Sequence, residues 1–216
     1  IIMALNTYSG LQASIANFLA RTDLGTEIID FIALAEAEIN RELRIRPMEN
    51  TVDFTIDAEV KALPTGFLGV RSFFITGTNK KALQFITPFQ QHSTQGSSTT
   101  GTPRAYSIEG SNFRFSPVPS GTHTAKLTFY KAFDALSDSN TSNFILANHP
   151  NVYLYGALYH ASNFIRGIDP AIVAQWKEQF LQSIQLIQQH NETESYNATP
   201  LVQRSDINLN NLDNIN

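Results

Sequence analysis

The sequence predicts an α+β fold in which N- and C-terminal helices pack as a bundle, a central antiparallel β-sheet module interrupts them, and an extended C-terminal tail follows. Two observations lead there. The hydrophobic period changes from helical to alternating near Pro47 and returns to helical near Pro150. From Asn191 onward the periodic apolar stripe gives way to seven asparagines and isolated apolar side chains, too sparse to build a core alone. The implied divisions are N-terminal helices in 1–47, a β module in 48–133, C-terminal helices in 134–190 and a tail in 191–216.

The elements follow in order. Leu11, Ile15 and Leu19, with Phe18 beside them, fall at helical spacing between Thr7 and Ala20. A second helix is predicted from Glu27 to about Leu43, capped by Thr26, with the stripe Ile28, Ile32, Ala35, Ile39, Leu43 and a stop at Pro47. Its acids Glu27, Asp30, Glu36 and Glu38 precede Arg41, Arg44 and Arg46, the order that complements a helix dipole. Val52, Phe54 and Ile56 alternate with polar residues as in a half-buried strand. Strands at 70–76 and 82–86 follow, then a polar stretch from Pro88 to Thr102 that reads as an exposed loop. Tyr106 and Ile108 are expected to pair with Phe113 and Phe115 across the two-residue turn Gly110-Ser111. Ala125, Leu127 and Phe129 form a closing strand, and the sheet is expected to have helices over one face.

The chain then returns to helix. Pro150 suits a first turn, and Leu154, Ala157, Leu158, Ala161 and Ile165 make the buried stripe, with Gly167 as the stop. Asp169-Pro170 caps a last helix running to about Gln189, with the stripe Val173, Trp176, Phe180, Ile184, Ile187 and a face of glutamines. Ile32, Ile39, Leu158, Trp176 and Phe180 are the expected shared core of the two ends.

Composition narrows the function. The chain has 216 residues, 42% of them hydrophobic, enough for a real core. A net charge of −4 argues against a broad basic patch for duplex binding. There are no cysteines, hence no disulfide or thiolate chemistry. No apolar run approaches the roughly 20 residues of a membrane span, and no secretory signal is expected.

Motifs for chemistry are sparse. His92, His123, His149, His160 and His190 show no metal-ligand spacing, and no nucleophile elbow, P-loop or dinucleotide glycine pattern occurs. No catalytic, cofactor-binding or metal residues are therefore expected. Glu36, Glu38 and Glu42, interleaved with arginines, read as a solvated ion-pair face. Tyr106, Phe113 and Phe115 could stack single-stranded bases, but without cations around them they read as core. In the tail, Leu201, Val202, Ile207, Leu209 and Leu212 are the candidate partner-docking residues, spaced apolar groups that fold only when a groove supplies burial.

A series of local strings, in order over residues 6 to 190, resembles the head-to-tail adaptor (connector) proteins of short-tailed bacteriophages. They are Tyr8-Ser-Gly-Leu-Gln-Ala-Ser-Ile15, Ile32-Ala-Leu-Ala-Glu-Ala-Glu-Ile-Asn-Arg41, Leu63-Pro64 with Phe67-Leu68, Gly101-Thr-Pro-Arg-Ala-Tyr106, Pro117-x-Pro119, Leu127-x-Phe-Tyr130, Leu136-Ser137 and Tyr153-Leu-Tyr-Gly-Ala-Leu158. Gly66 stands where that family often has an acidic turn residue. The resemblance implies a virion protein at the head–tail interface, made in the host cytoplasm. It implies a ring of copies of itself, usually a dodecamer, with the portal protein above and the tail nozzle protein below. Double-stranded DNA would pass through without specific binding, and no membrane is involved. Two alternatives stand beside it: another tail component such as a nozzle or tube, and a cell-wall hydrolase with two of Glu36, Glu38, Glu42 and Glu109 about 5 to 9.5 Å apart.

Overall fold

The computed structural model describes residues 5–77, 80–94 and 100–197. Helix α1 (Tyr8–Leu19) begins where the Thr7 hydroxyl accepts a hydrogen bond from the Gly10 amide at 3.2 Å. It buries Leu11 and Ile15 and leaves Phe18 on the surface. Helix α2 (Gly25–Glu42) opens two residues earlier than its sequence suggests. Leu24 takes the cap position and is itself buried, so Thr26 lies within the first turn and does not cap it. The stripe Ile28, Ile32, Ala35, Ile39 is buried as its spacing predicts, with Phe31 added. The helix ends at Glu42, and Pro47 sits beyond it in a 3₁₀ turn, Arg46–Met48.

Ten strands follow among the described residues: β1 (Glu49–Ile56), β2 (Val60–Ala62), β3 (Phe67–Ile75), β4 (Lys81–Ala82), β5 (Gln84–Phe85), β6 (Thr100–Gly101), β7 (Ala105–Glu109), β8 (Asn112–Ser116), β9 (Val118–Pro119) and β10 (His123–Lys131). One sheet has the order β1-β10-β3-β4 and a second β2-β8-β7-β5, with β6 and β9 a small separate pair. The pairing is antiparallel except for β5 with β7 and β6 with β9, which are parallel. Tyr106 faces Phe115 and Ile108 faces Phe113 across the expected hairpin, with Gly110 at a φ of 59°.

Two expectations for this region are corrected. The module is covered on its inner face by a second sheet, not by helices. Each sheet brings its own aromatic lining: Phe73 meets Phe113 and Tyr106 with ring centroids 5.4 and 5.5 Å apart, and Phe54 stands edge-on to Phe113 at 5.7 Å. Offset and edge-to-face rings fill an interior of this thickness without help from outside. Strand β10, expected at the close of the sheet, is its centre, paired with β1 on one side and β3 on the other. Its inner side chains Ala125, Leu127 and Phe129 are accordingly buried.

The polar stretch after Pro88 also holds more order than its composition suggests. Helix α3 (Pro88–Thr94) starts with a capping box: Gln90 N donates to Thr87 Oγ1 at 3.2 Å, and Thr87 N donates to Gln90 Oε1 at 3.1 Å. A second short helix, α4 (Phe144–Asn148), is capped by Asn143, whose side-chain Oδ1 accepts from Leu146 N at 3.0 Å.

Helix α5 (Pro150–Phe164) and helix α6 (Pro170–Asn197) complete the bundle. Asp169 Oδ1 accepts from Ala171 N at 2.9 Å, the expected cap, but α6 runs past Gln189 to Asn197. Its 28 residues extend about 42 Å. Ile32, Ile39, Leu158 and Phe180 share one core drawn from both ends of the chain. Trp176, expected with them, is only half-buried at the rim of that core. At Gly156 a Cβ would stand 2.9 Å from Phe180 Cε2 and 3.0 Å from Ala35 Cβ, so α2, α5 and α6 touch at that glycine.

This packing makes two quantitative predictions. Phe180→Ala should cost about 3–5 kcal/mol and Trp176→Ala distinctly less, read from denaturant midpoints. Gly156→Ala, normally helix-favouring, should instead destabilise by about 1–3 kcal/mol through overpacking. A stabilised Gly156→Ala variant would show that α5 and α6 have room to separate.

Candidate functional site

The best-built polar site joins the end of the β module to the helices. Helix α2 carries Glu36 one turn after Ile32 and just before Ile39, on its buried side. Glu36 Oε1 accepts from the Leu136 amide at 2.8 Å and from the Tyr153 hydroxyl at 3.2 Å. Tyr153 in turn accepts from Asn143 Nδ2 at 2.7 Å. One turn along α2, Asn40 Oδ1 accepts from Phe133 N at 2.9 Å. Nearby, Tyr8 N donates to Thr141 O at 2.7 Å, and Ser142 Oγ donates to Asn6 O at 3.0 Å. The connector that leaves β10 is thus stapled to α1, α2 and α5.

The expected solvated face of Glu36, Glu38 and Glu42 is therefore correct only in part. Glu36 is buried, and burial raises its pKa, partly opposed by the hydrogen bonds from Leu136 and Tyr153. Glu38 meets Arg41 at 3.4 Å and His160 Nε2 at 3.2 Å, while Glu42 meets Arg41 at 3.0 Å. The signal for Glu36 was its position on the stripe, three and four residues from Ile39 and Ile32. Charge interleaving hid it.

The remaining candidates fall in separate places. Glu109 lies on β7, paired with Arg114 at 3.2 Å, far along the chain from the α2 carboxylates. Glu38 and Glu42 share Arg41, Glu36 is held by Leu136 N and Tyr153, and Glu109 by Arg114, a poor match to a pair poised around a scissile bond. Tyr106, Phe113 and Phe115 are buried inside the sandwich and offer no face to a base. His160 packs in α5 against Glu38. Among the described residues no group of three or more His, Asp or Glu is placed to hold a metal ion, and no helix is long and apolar enough to cross a membrane. The candidate docking residues Leu201, Val202, Ile207, Leu209 and Leu212 lie outside the described residues.

A cleft of about 860 Å³ opens beside the start of β1, lined by Arg46, Pro47, Glu49, Phe144, Asn148, His149 and His190. The C-terminal part of α6 forms its wall. Arg46 N donates to Asn191 Oδ1 at 2.8 Å, and Gln188 Nε2 donates to Glu42 O at 3.0 Å. Burial, with His190 close by, lowers the pKa of His149. Large apolar side chains also stand on the surface, among them Phe89 at 81% and Leu186 at 65% exposure.

The Glu36 joint predicts a pH dependence. Its folded-state pKa lies above the ordinary 4.5, so the folded state holds the proton more tightly than the unfolded chain. The contribution of this group is most favourable below that value and declines as pH rises through the folded-state pKa. Glu36→Gln keeps the acceptor and removes the charge, so the melting temperature of the wild type should fall relative to the variant above about pH 4.5. Parallel melting curves across that range would mean that Glu36 ionises at no cost.

Comparison with known proteins bears on the whole chain. No curated protein matches it. The family model of the SU10 adaptor protein matches residues 6–204, which includes both helical ends, the sandwich and the connector. That span takes in nearly all of the 216 residues. The chain belongs to the SU10 adaptor protein family and is a phage head-to-tail adaptor, a structural component of the virion.

Proposed function

We propose that copies of this chain close into a ring, with the portal protein above, the tail nozzle protein below and the genome passing through the centre during ejection. The observation that carries the reading is the family match over residues 6–204. Two features support it. The exposed apolar side chains are distributed over bundle and sandwich alike, from Phe18, Phe164 and Leu186 to Phe74, Phe85 and Phe89, as expected of a subunit with several neighbours. The −4 net charge suits a wall that lets DNA pass without holding it. In this reading the work of the chain is positioning and contact.

In this reading the residues after Asn197 form a docking arm. Leu201, Val202, Ile207, Leu209 and Leu212 insert into a groove on the portal or on a neighbouring copy, where burial offsets the entropy of ordering. The sandwich at 48–133 and the helices flanking it act as two contact modules of one subunit.

Size-exclusion light scattering of the purified chain should give a mass many times the 24.0 kDa of one copy, and negative-stain images should show closed rings. Removing the residues after Asn197 should leave the melting temperature nearly unchanged and weaken the joining of heads to tails. A truncated chain that joins them with full efficiency would make the arm a passive terminus. A strictly monomeric chain, with or without portal, would overturn the ring.

A further inference from the structure

Strand β1 presents an open sheet edge. It is eight residues long and among the described residues pairs with β10 alone, in continuous register from Glu49 opposite Tyr130 to Ile56 opposite His123. The other edge strands, β2, β4 and β5, have three, two and two residues. Natural edges of this length are usually blunted by proline, lysine or a bulge, because unpaired N–H and C=O groups recruit another strand. β1 has no proline, no lysine and no shift in its register with β10, and its two charges, Glu49 and Asp53, are met within its own sheet by Arg71 at 3.4 Å and Lys126 at 3.8 Å; the bulges of this sheet lie between β10 and β3.

The inner face of β1 is also incompletely covered. Val52 and Phe54 belong to the sandwich core yet remain partly exposed, whereas Leu127 and Ala125, directly opposite them on β10, are at 0%. A further strand on this edge would close that face.

The sequence contains a segment of the right pattern. Asp206-Ile-Asn-Leu-Asn210 alternates polar and apolar residues with period two. It follows α6, whose residues His190 and Asn191 lie against Arg46–Glu49 at the start of β1. The 19 residues beyond Asn197 span up to about 60 Å when extended, ample to reach an adjacent molecule. A tail returning along its own β1 would leave the Glu49 end and run toward Ile56, making a parallel pair in a sheet whose other pairs are antiparallel. A tail from a neighbour can enter in the opposite, slightly more stable direction.

We propose that the free edge of β1 accepts residues 206–210 of an adjacent copy as an added antiparallel strand, with Ile207 over Phe54 and Leu209 over Val52. This rests on the ring reading above and specifies what the arm grips. Backbone bonds supply the affinity and the two apolar side chains the register. Each copy then gives one strand and receives one, a head-to-tail exchange that closes with the ring.

Because the chain has no cysteine, thiols can be placed at will. In the proposed register Asn208 stands opposite Asp53, both on the outer face. Full-length Asp53→Cys and Asn208→Cys chains, mixed before assembly and oxidised, should give a disulfide between different chains. Amide exchange at β1 should slow by about tenfold or more in the full-length ring, and Ile207→Pro with Leu209→Pro should abolish that slowing. Light scattering of the same samples reports ring formation independently. Rings that form with β1 amides exchanging equally fast in wild type and proline variant would overturn the proposal and leave the ring standing. So would a disulfide that forms only within one chain carrying both substitutions, or protection of β1 that appears only when portal is added. Absence of rings together with absence of interchain disulfide would defeat both readings.

Discussion

The contact at Gly156 is the constraint on which the rest of the architecture depends. Phe180 of α6 lies on that glycine with Ala35 of α2 beside it, nearer than any side chain at 156 would allow. No helix here buries its stripe alone. Only the close approach of three helices, one from the first part of the chain and two from the last, gives Ile32, Ile39, Leu158 and Phe180 a common interior. The position of α6 follows from the same contact, and with it the placement of His190 and Asn191 against the root of the β module.

A second dependence runs through Glu36. A buried carboxylate adds little net stability, since desolvation offsets much of what its hydrogen bonds supply. Its value lies in direction. By accepting from both Leu136 N and Tyr153 Oη it sets the connector against α2 and α5 together, and Asn40 repeats the grip one turn on. The sandwich is thereby held to the bundle at one place, where β1 begins and β10 ends, since Glu49 and Tyr130 are partners in register.

Much of this was legible in the sequence, for reasons that differ by element. The stripes of α1, α2, α5 and α6 and the Gly110 hairpin are local patterns, and local patterns survive into the fold. The turn to a sandwich was not legible, because alternation in Val52, Phe54 and Ile56 reports one covered face without naming what covers it. Strand order is likewise non-local: nothing in Ala125, Leu127 and Phe129 separates a central from an outer strand. The capping box at Thr87 and Gln90 was present in the residues but masked by the polar stretch around it. Trp176 shows the converse, a residue with the spacing of a core position that stays half-buried at the rim of the core. For the site, the family strings along residues 6 to 190 pointed to the adaptor. The Glu36 joint lay concealed beside an arginine series of which only Arg41 lies on α2, on its exposed side, while Arg44 and Arg46 follow the end of the helix.

The interleaving of the two cores also sets an order of events during synthesis. Strands β1 to β10 are contiguous in the chain, so the sandwich can close soon after Lys131 has emerged from the ribosome. The first two helices cannot mature with it. Glu36 waits for partners 100 and 117 residues downstream, and the stripe of α2 waits for Phe180. Until α5 and α6 are made, Ile28, Ile32 and Ile39 travel with an uncovered apolar face beside an already folded β module. The nascent adaptor is therefore most vulnerable to aggregation late in its own translation, and the helices that begin the chain are the last to be secured.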